Sequence, residues 1–307
     1  MDQKQLEALI REVIADVLGN GGSASAPAGL ADQVKAAVTG SRAQDPSTVD
    51  DIPDDQLVDI CSHEVRQRIL IAHPMDTEMM DRMRQMTNAR IGAGRAGARL
   101  NTVTMLTLRA NHATARDSVF SEVDHDLLTE MDLFSVQTRC TDKNIYLTRP
   151  DLGRRLNEEG RSLLDQKCRK HVQAQVYVSD GLSSKAVEAN VRDILPAIMN
   201  GLESFGISTG TPFFVKFGRV GVMDEISELL DAEVTCVLLG ERPGLSTAES
   251  MSAYLAYRAT MGMPESRRTV VSNIHKDGIN SVEAGAYVAE IIRIMLEKKA
   301  SGVDLSL

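Results

Sequence analysis

Six histidines and four cysteines are scattered along 307 residues without any spacing that would build a nucleophile or a metal centre. No GxSxG turn presents a serine to a base, and no HExxH sets two imidazoles one helical turn apart. Cys61, Cys140, Cys168 and Cys236 form no CxxC pair, which argues against a zinc knuckle and leaves all four expected as reduced thiols. No catalytic residue and no metal ligand is therefore assigned within this chain. That pattern suits a protein that binds more than it catalyses alone.

Three short stretches could still meet a ligand. Gly92-Ala93-Gly94-Arg95-Ala96-Gly97 has the GxGxxG spacing that lets a helix N-terminus approach a pyrophosphate, but Met80–Arg90 before it is charged, Met-rich and helical in spacing, where a dinucleotide fingerprint needs a strand. The plainer expectation is a glycine loop between helices, with Arg90, Arg95 and Arg99 available to acidic groups of a partner. Asn273-Ile274-His275-Lys276-Asp277-Gly278 departs by one residue from DxHxxG, a metal-ligating pattern whose leading carboxylate orients the imidazole. Asparagine is a poorer orienter, so His275 is expected to be a loop or interface histidine. Gly240-Glu241-Arg242-Pro243-Gly244 places a carboxylate directly after an apolar run, where it either accepts hydrogen bonds from a polar ligand or pairs with Arg242.

The elements that must position these residues follow from periodicity. Ala174–Ser179, Pro212–Phe217, Val234–Leu239 and Arg268–Ser272 read as strands, and Ser184–Phe205, Met223–Asp231, Ser246–Arg258 and Val282–Lys299 as helices. Such alternation predicts an α/β fold with a doubly wound, mostly parallel, Rossmann-like sheet in residues 172–307. Ligands of such sheets lie beyond the carboxyl ends of the strands, which singles out Asp180–Ser183, Gly218–Val220, Gly240–Gly244 and Asn273–His275.

Upstream, Asp76–Asp117 reads as helical on both sides of the glycine break, and Asp151–His171 as a further helix, within a mainly helical region, residues 43–171, to which the family resemblance given below assigns the docking of a partner subunit. Residues 1–18 place Leu6, Leu9, Ile10, Val13, Ile14 and Val17 on one helical face, and residues 19–42 open with a Gly/Ser/Ala/Pro tract that suits a flexible linker. A tethered amphipathic helix of this kind is built to dock on something. The formal charge of −9 disfavours nucleic acid, and no apolar run approaches a membrane span or a secretory signal, so a cytoplasmic protein is expected.

Several stretches taken in order resemble one family, the small (light) subunit of ethanolamine ammonia-lyase. They include Met1–Gln5, Gly94–Gly97, Asp142–Asp151, Gly153–Leu156, Val178–Ser183, Gly210–Val215, Gly218–Val220, Gly240–Leu245, Ser272–His275 and Glu297–Gly302. The resemblance implies a carbon–nitrogen lyase that splits ethanolamine into acetaldehyde and ammonia, using a radical from adenosylcobalamin. It implies a large-subunit partner, a TIM barrel holding the substrate, with the cobalamin lying base-on between the subunits. A base-on cofactor keeps its own dimethylbenzimidazole on cobalt and needs no ligand from His275. By the same resemblance the small-subunit cobalamin contacts fall on Val220, Glu241 and Val270, the last standing where some relatives have cysteine. The resemblance further implies housing in a bacterial microcompartment, with the N-terminal helix as a possible shell-targeting segment.

Overall fold

The computed structural model describes residues 62–306 apart from 72 and 88, within the unit Asp59–Leu307. The helix expected at 1–18, the linker at 19–42 and Cys61 lie outside the described residues. In chain order the described elements begin with α1 (His63–Arg66), α2 (Thr77–Gln85), β1 (Arg95–Ala96), β2 (Arg99–Leu100), α3 (Thr102–Phe120), α4 (His125–Glu130), β3 (Phe134–Gln137), α5 (Lys143–Thr148) and α6 (Glu158–Lys167). They continue with β4 (Ala174–Ser179), α7 (Ser184–Ser204), β5 (Phe213–Lys216), α8 (Val222–Leu230), β6 (Val234–Gly240), β7 (Met251–Tyr257), β8 (Thr269–Ile274) and α9 (Ser281–Lys298).

Every residue of β4 and β6 is buried, as their near-continuous apolar runs require of central strands covered on both faces. They lie within one six-stranded sheet of order β3-β5-β4-β6-β7-β8. Alternation then divides the core. Val176, Val178, Cys236 and Leu238 point to one face, where α7 and α9 cover them with Val187, Ile194, Val288 and Ile292. Tyr177, Val215, Val237 and Leu239 point to the other, beneath Leu164 of α6 and Met223, Ile226 and Leu230 of α8. Helices thus lie on both faces, as expected.

The expectation of a mostly parallel sheet is overturned. β3, β5, β4 and β6 run parallel, but β7 pairs antiparallel with β6 and β8 antiparallel with β7, so the sheet is mixed. The cause is the segment Ser246–Arg258, read above as a helix, in which Ser246 and Glu249 happen to have the spacing of a helix capping box. Met251–Tyr257 is instead a strand whose Met251, Ala253 and Leu255 enter the helix-covered core at a strict period of two, while Tyr254 and Ala256 enter the other. Pairing with the full length of β6 outweighs a local cap signal. An additional strand, β3, comes from upstream of residue 172 and pairs with β5 at the opposite edge.

The glycine loop at 92–97 is preceded by α2, not by a strand, and leads into the two-stranded hairpin of β1 and β2, with Gly97 at φ +62°. It carries no dinucleotide fold. The helix that follows is unusual, because α3 buries Thr104, Thr107, Asn111 and Ser118 while exposing Val103, Met105, Leu106 and Phe120. That is the inverse of a helix that completes its own core. Beside it α2 buries no residue and exposes Met79 and Met83.

Candidate functional site

Two reversals of direction return β8 to the sense of β6, so all four loops singled out from sequence leave the sheet at one edge. The loop after β6 is pinned from several sides. Leu182 donates its amide to the Gly240 carbonyl at 2.9 Å and Glu241 its amide to Ser250 at 3.0 Å. Ser183, which also caps α7 by accepting from the Ala186 amide, donates its hydroxyl to the Ala248 carbonyl. Asn190 of α7 donates to Glu249 at 2.8 Å and accepts from Ser281 of α9 at 2.7 Å. A buried asparagine satisfied on both sides in this way locks three segments together.

Glu241 therefore stands on a fixed backbone. Its carboxylate Oε1 accepts from the Tyr254 hydroxyl at 2.9 Å, so the protein group it bonds is Tyr254 and not Arg242. Tyr254 and Val270 sit directly opposite each other on β7 and β8, and residues so paired project to the same face. Tyr254 packs against the core cluster under α8, and Val220, in the turn leading to α8, packs against that same cluster. The structure thus brings Val220, Glu241 and Val270 to one face, with Glu241 just past the carboxyl end of β6 and Val270 near the start of β8, level with Tyr254 and Val237. Beyond α8 this face is open, with Val270 48% exposed and Ser272 exposed beside it. On the same side Ser252, opposite Leu239, keeps a fully buried hydroxyl with no hydrogen-bond partner.

A second constellation, which the sequence reading missed, shapes the turn carrying Val220. Phe217 adopts φ +59°, an uncommon conformation for a bulky residue, and side chains of three neighbouring segments hold it. Asp180 Oδ1 accepts from the Phe217 amide at 2.8 Å, Thr138 donates to the Phe217 carbonyl at 2.9 Å, and Tyr146 donates to the Gly218 carbonyl at 3.1 Å. Arg219 stacks over the Tyr146 ring at 4.2 Å and donates to its carbonyl at 2.8 Å. Lys143 lies 3.6 Å from Asp180 and 5.3 Å from both the Tyr146 and Phe217 rings. Burial pushes the Asp180 carboxyl up to about 6, with the Lys143 ammonium and the amides of Phe217, Gly218 and Gly181 opposing it. The signal available in sequence was Asp142–Asp151, whose residues Lys143 and Tyr146 reach this cluster, but nothing in their spacing says so.

His275 is engaged within its own turn. Its Nε2 meets Asn273 Oδ1 at 2.8 Å and its Nδ1 accepts from the Asp277 amide at 3.2 Å, so both ring nitrogens are spent closing their own turn. Asn273 sits at φ +64° where β8 bulges against β7. Among the described residues no group of histidine, cysteine and carboxylate side chains could hold a metal ion, and Cys140, Cys168 and Cys236 are buried free thiols.

Fold and site together define an α/β protein with a mixed sheet that leaves part of one face exposed at Val270 and Ser272. Residues 77–306 match the family model of the ethanolamine ammonia-lyase light chain (EutC). The chain is 58% identical over 262 residues to the ethanolamine ammonia-lyase small subunit of Clostridium tetani, covering 85% of this chain and 88% of the relative. It is 54% identical over 256 residues to that of Fusobacterium nucleatum, covering 83% and 87%, and 48% identical over 305 residues to that of Listeria innocua, covering 99% and 100%. The chain belongs to the ethanolamine ammonia-lyase light-chain family.

Proposed function

We propose that this chain is the small subunit of an adenosylcobalamin-dependent ethanolamine ammonia-lyase and forms one wall of the cobalamin site, the large subunit forming the other. The observation that carries this reading is the open sheet face shared by Val220, Glu241 and Val270. The residues fit the group. A corrin ring has an apolar body and a fringe of amides, and this face offers exposed Val270, part-buried Val220 and a fixed carboxylate at Glu241.

When bound, the cofactor supplies the radical on which the conversion of ethanolamine to acetaldehyde and ammonia depends. This chain's residues do other work. Val220 and Val270 give apolar contact and exclude water, Glu241 accepts hydrogen bonds from amide N–H groups, and the Asp180, Thr138 and Tyr146 network holds the Val220 turn at the edge. Substrate binding and the acid–base groups belong to the large subunit. His275 plays no axial role, in keeping with a base-on cofactor.

The region of residues 43–171 we assign to subunit docking, and within it the inverted face of α3 is the element best suited to contact the large subunit. Seven arginines, Arg82, Arg84, Arg90, Arg95, Arg99, Arg109 and Arg116, stand against Glu78, Asp81 and Asp117 between residues 77 and 120, which favours an acidic partner surface. Leu106→Asp, at an exposed position, should leave the fold intact and weaken large-subunit association about tenfold or more, read by co-purification and analytical ultracentrifugation. Parent-like association would remove α3 from the interface. The amphipathic segment 1–18 we assign to microcompartment targeting. No described helix is long and apolar enough to cross a membrane.

Co-expression with the large subunit tests the reading as a whole. The complex should release ammonia from ethanolamine and show corrinoid absorbance. Glu241→Ala should weaken cobalamin retention about 5- to 150-fold, by loss of a polar contact worth about 1–3 kcal/mol, without disturbing assembly. A complex that binds no corrinoid would refute the proposal.

A further inference from the structure

We propose that Tyr254 is a positioning residue for Glu241, holding one carboxylate oxygen so that the other is presented outward to the amide fringe of the corrin. The inference rests on the cobalamin reading above and adds to it a residue that acts through Glu241 without being one of the three expected contacts.

Glu241 belongs to a loop, yet strand β7 governs its geometry twice. Its amide donates to the Ser250 carbonyl at 3.0 Å just before that strand, and its Oε1 accepts from Tyr254 within the strand at 2.9 Å. The phenol ring is itself clamped, packed against the core cluster that contains Val237, Leu239 and Ala256. Burial, with the neighbouring carboxylate, pushes the Tyr254 hydroxyl up to about 12, so it keeps its proton at working pH and donates to Glu241. No described residue bonds Glu241 Oε2. Val270, opposite Tyr254, extends the same face as exposed apolar surface. A glutamate has three side-chain torsions to lose on meeting a ligand, and one already fixed in place loses few of them, so a preset carboxylate binds more tightly than a mobile one.

The test uses the two-subunit complex and hydroxocobalamin as probe, with the dissociation constant read by absorbance titration for parent, Tyr254→Phe, Glu241→Ala and the double variant. Tyr254→Phe removes one oxygen and keeps the ring, so melting temperature and co-purification serve as controls for folding. The expected result is affinity weakened roughly 3- to 10-fold in Y254F, further in E241A, and no further in the double variant than in E241A alone. Weakened E241A beside parent-like Y254F overturns the inference alone. Losses that multiply in the double variant also overturn it, because Tyr254 would then contact the corrin independently. Parent-like affinity in both single variants overturns the Glu241 site and the inference together. A Y254F chain that fails to assemble is replaced by E241Q. With Tyr254 holding its amide carbonyl, the NH2 group faces the corrin and cannot accept from its amides, so affinity as low as that of E241A supports the positioning role, whereas parent-like affinity overturns it.

Discussion

Arg268→Ala is expected to destabilise the protein by about 3–5 kcal/mol, the range for stranding one partner of a buried ion pair. Arg268 stands at the entry to β8 with its side chain only 3% exposed. Its guanidinium forks onto both oxygens of Asp224 on α8, at 2.8 and 3.1 Å, and its Nε donates to Glu265 at 2.8 Å. Burial pushes the Asp224 carboxyl upward even beside this guanidinium, so the attraction does not fully offset the cost of desolvating that carboxylate. The damage in the variant comes from the carboxylate left behind. Denaturant unfolding should show the loss, and the double variant Arg268→Met/Asp224→Leu should recover much of it, because an apolar pair has no charge to strand. Lysine at 268 should rescue poorly, lacking the planar fork. Equal midpoints for parent and R268A would contradict this account of the edge. The functional consequence is direct, since Val270 lies two residues further along and the Arg268–Asp224 tie joins β8 to the helix that begins beside Val220.

The second large effect is expected at Gly240, where β6 hands over to the Glu241 loop. A Cβ there would stand 2.1 Å from the Ser183 carbonyl oxygen and 2.4 Å from that of Asp180, both backbone atoms that cannot swing aside. Gly240→Ala must push the β4 loop away from the β6 loop, at about 3 kcal/mol or more, the upper end for overpacking at a tight site. Asp180 and Ser183 move with it, so the Phe217 turn and the anchor at Ala248 are both disturbed. The expected outcome is a lower unfolding midpoint together with corrinoid affinity reduced by more than tenfold. A variant that unfolds like the parent and binds corrinoid equally would show that the two loops need not approach so closely.

How much of this could be read from the chain depended on where the controlling interaction lay. β4, β5, β6 and β8 were legible because each is a local apolar run, and α7 and α9 because their buried positions recur at helical spacing. β7 was misread as part of a helix, in which Ser246 and Glu249 mimic a helix start, while the force that makes Met251–Tyr257 a strand is a long-range ladder with β6. β3 was missed because Phe134–Gln137 is short and becomes a strand only by joining β5. The carboxyl edge was found for partly the wrong reason: the loop after β8 reaches it through two reversals of direction, not through a parallel crossover. Glu241 was legible by position, but Tyr254 as its partner was not, because that hydrogen bond depends on the misread strand. His275 shows the reverse case, a motif near-match whose two nitrogens are consumed within its own turn.

The most direct measurement of the central claim is an experimental structure of the large–small complex loaded with cyanocobalamin. The account predicts corrin density lying along the face of β7 and β8, in contact with Val220 and Val270 and with a corrin amide hydrogen-bonded to Glu241. Density held wholly by the large subunit, with that face of this chain turned to solvent or buried against protein, would contradict it.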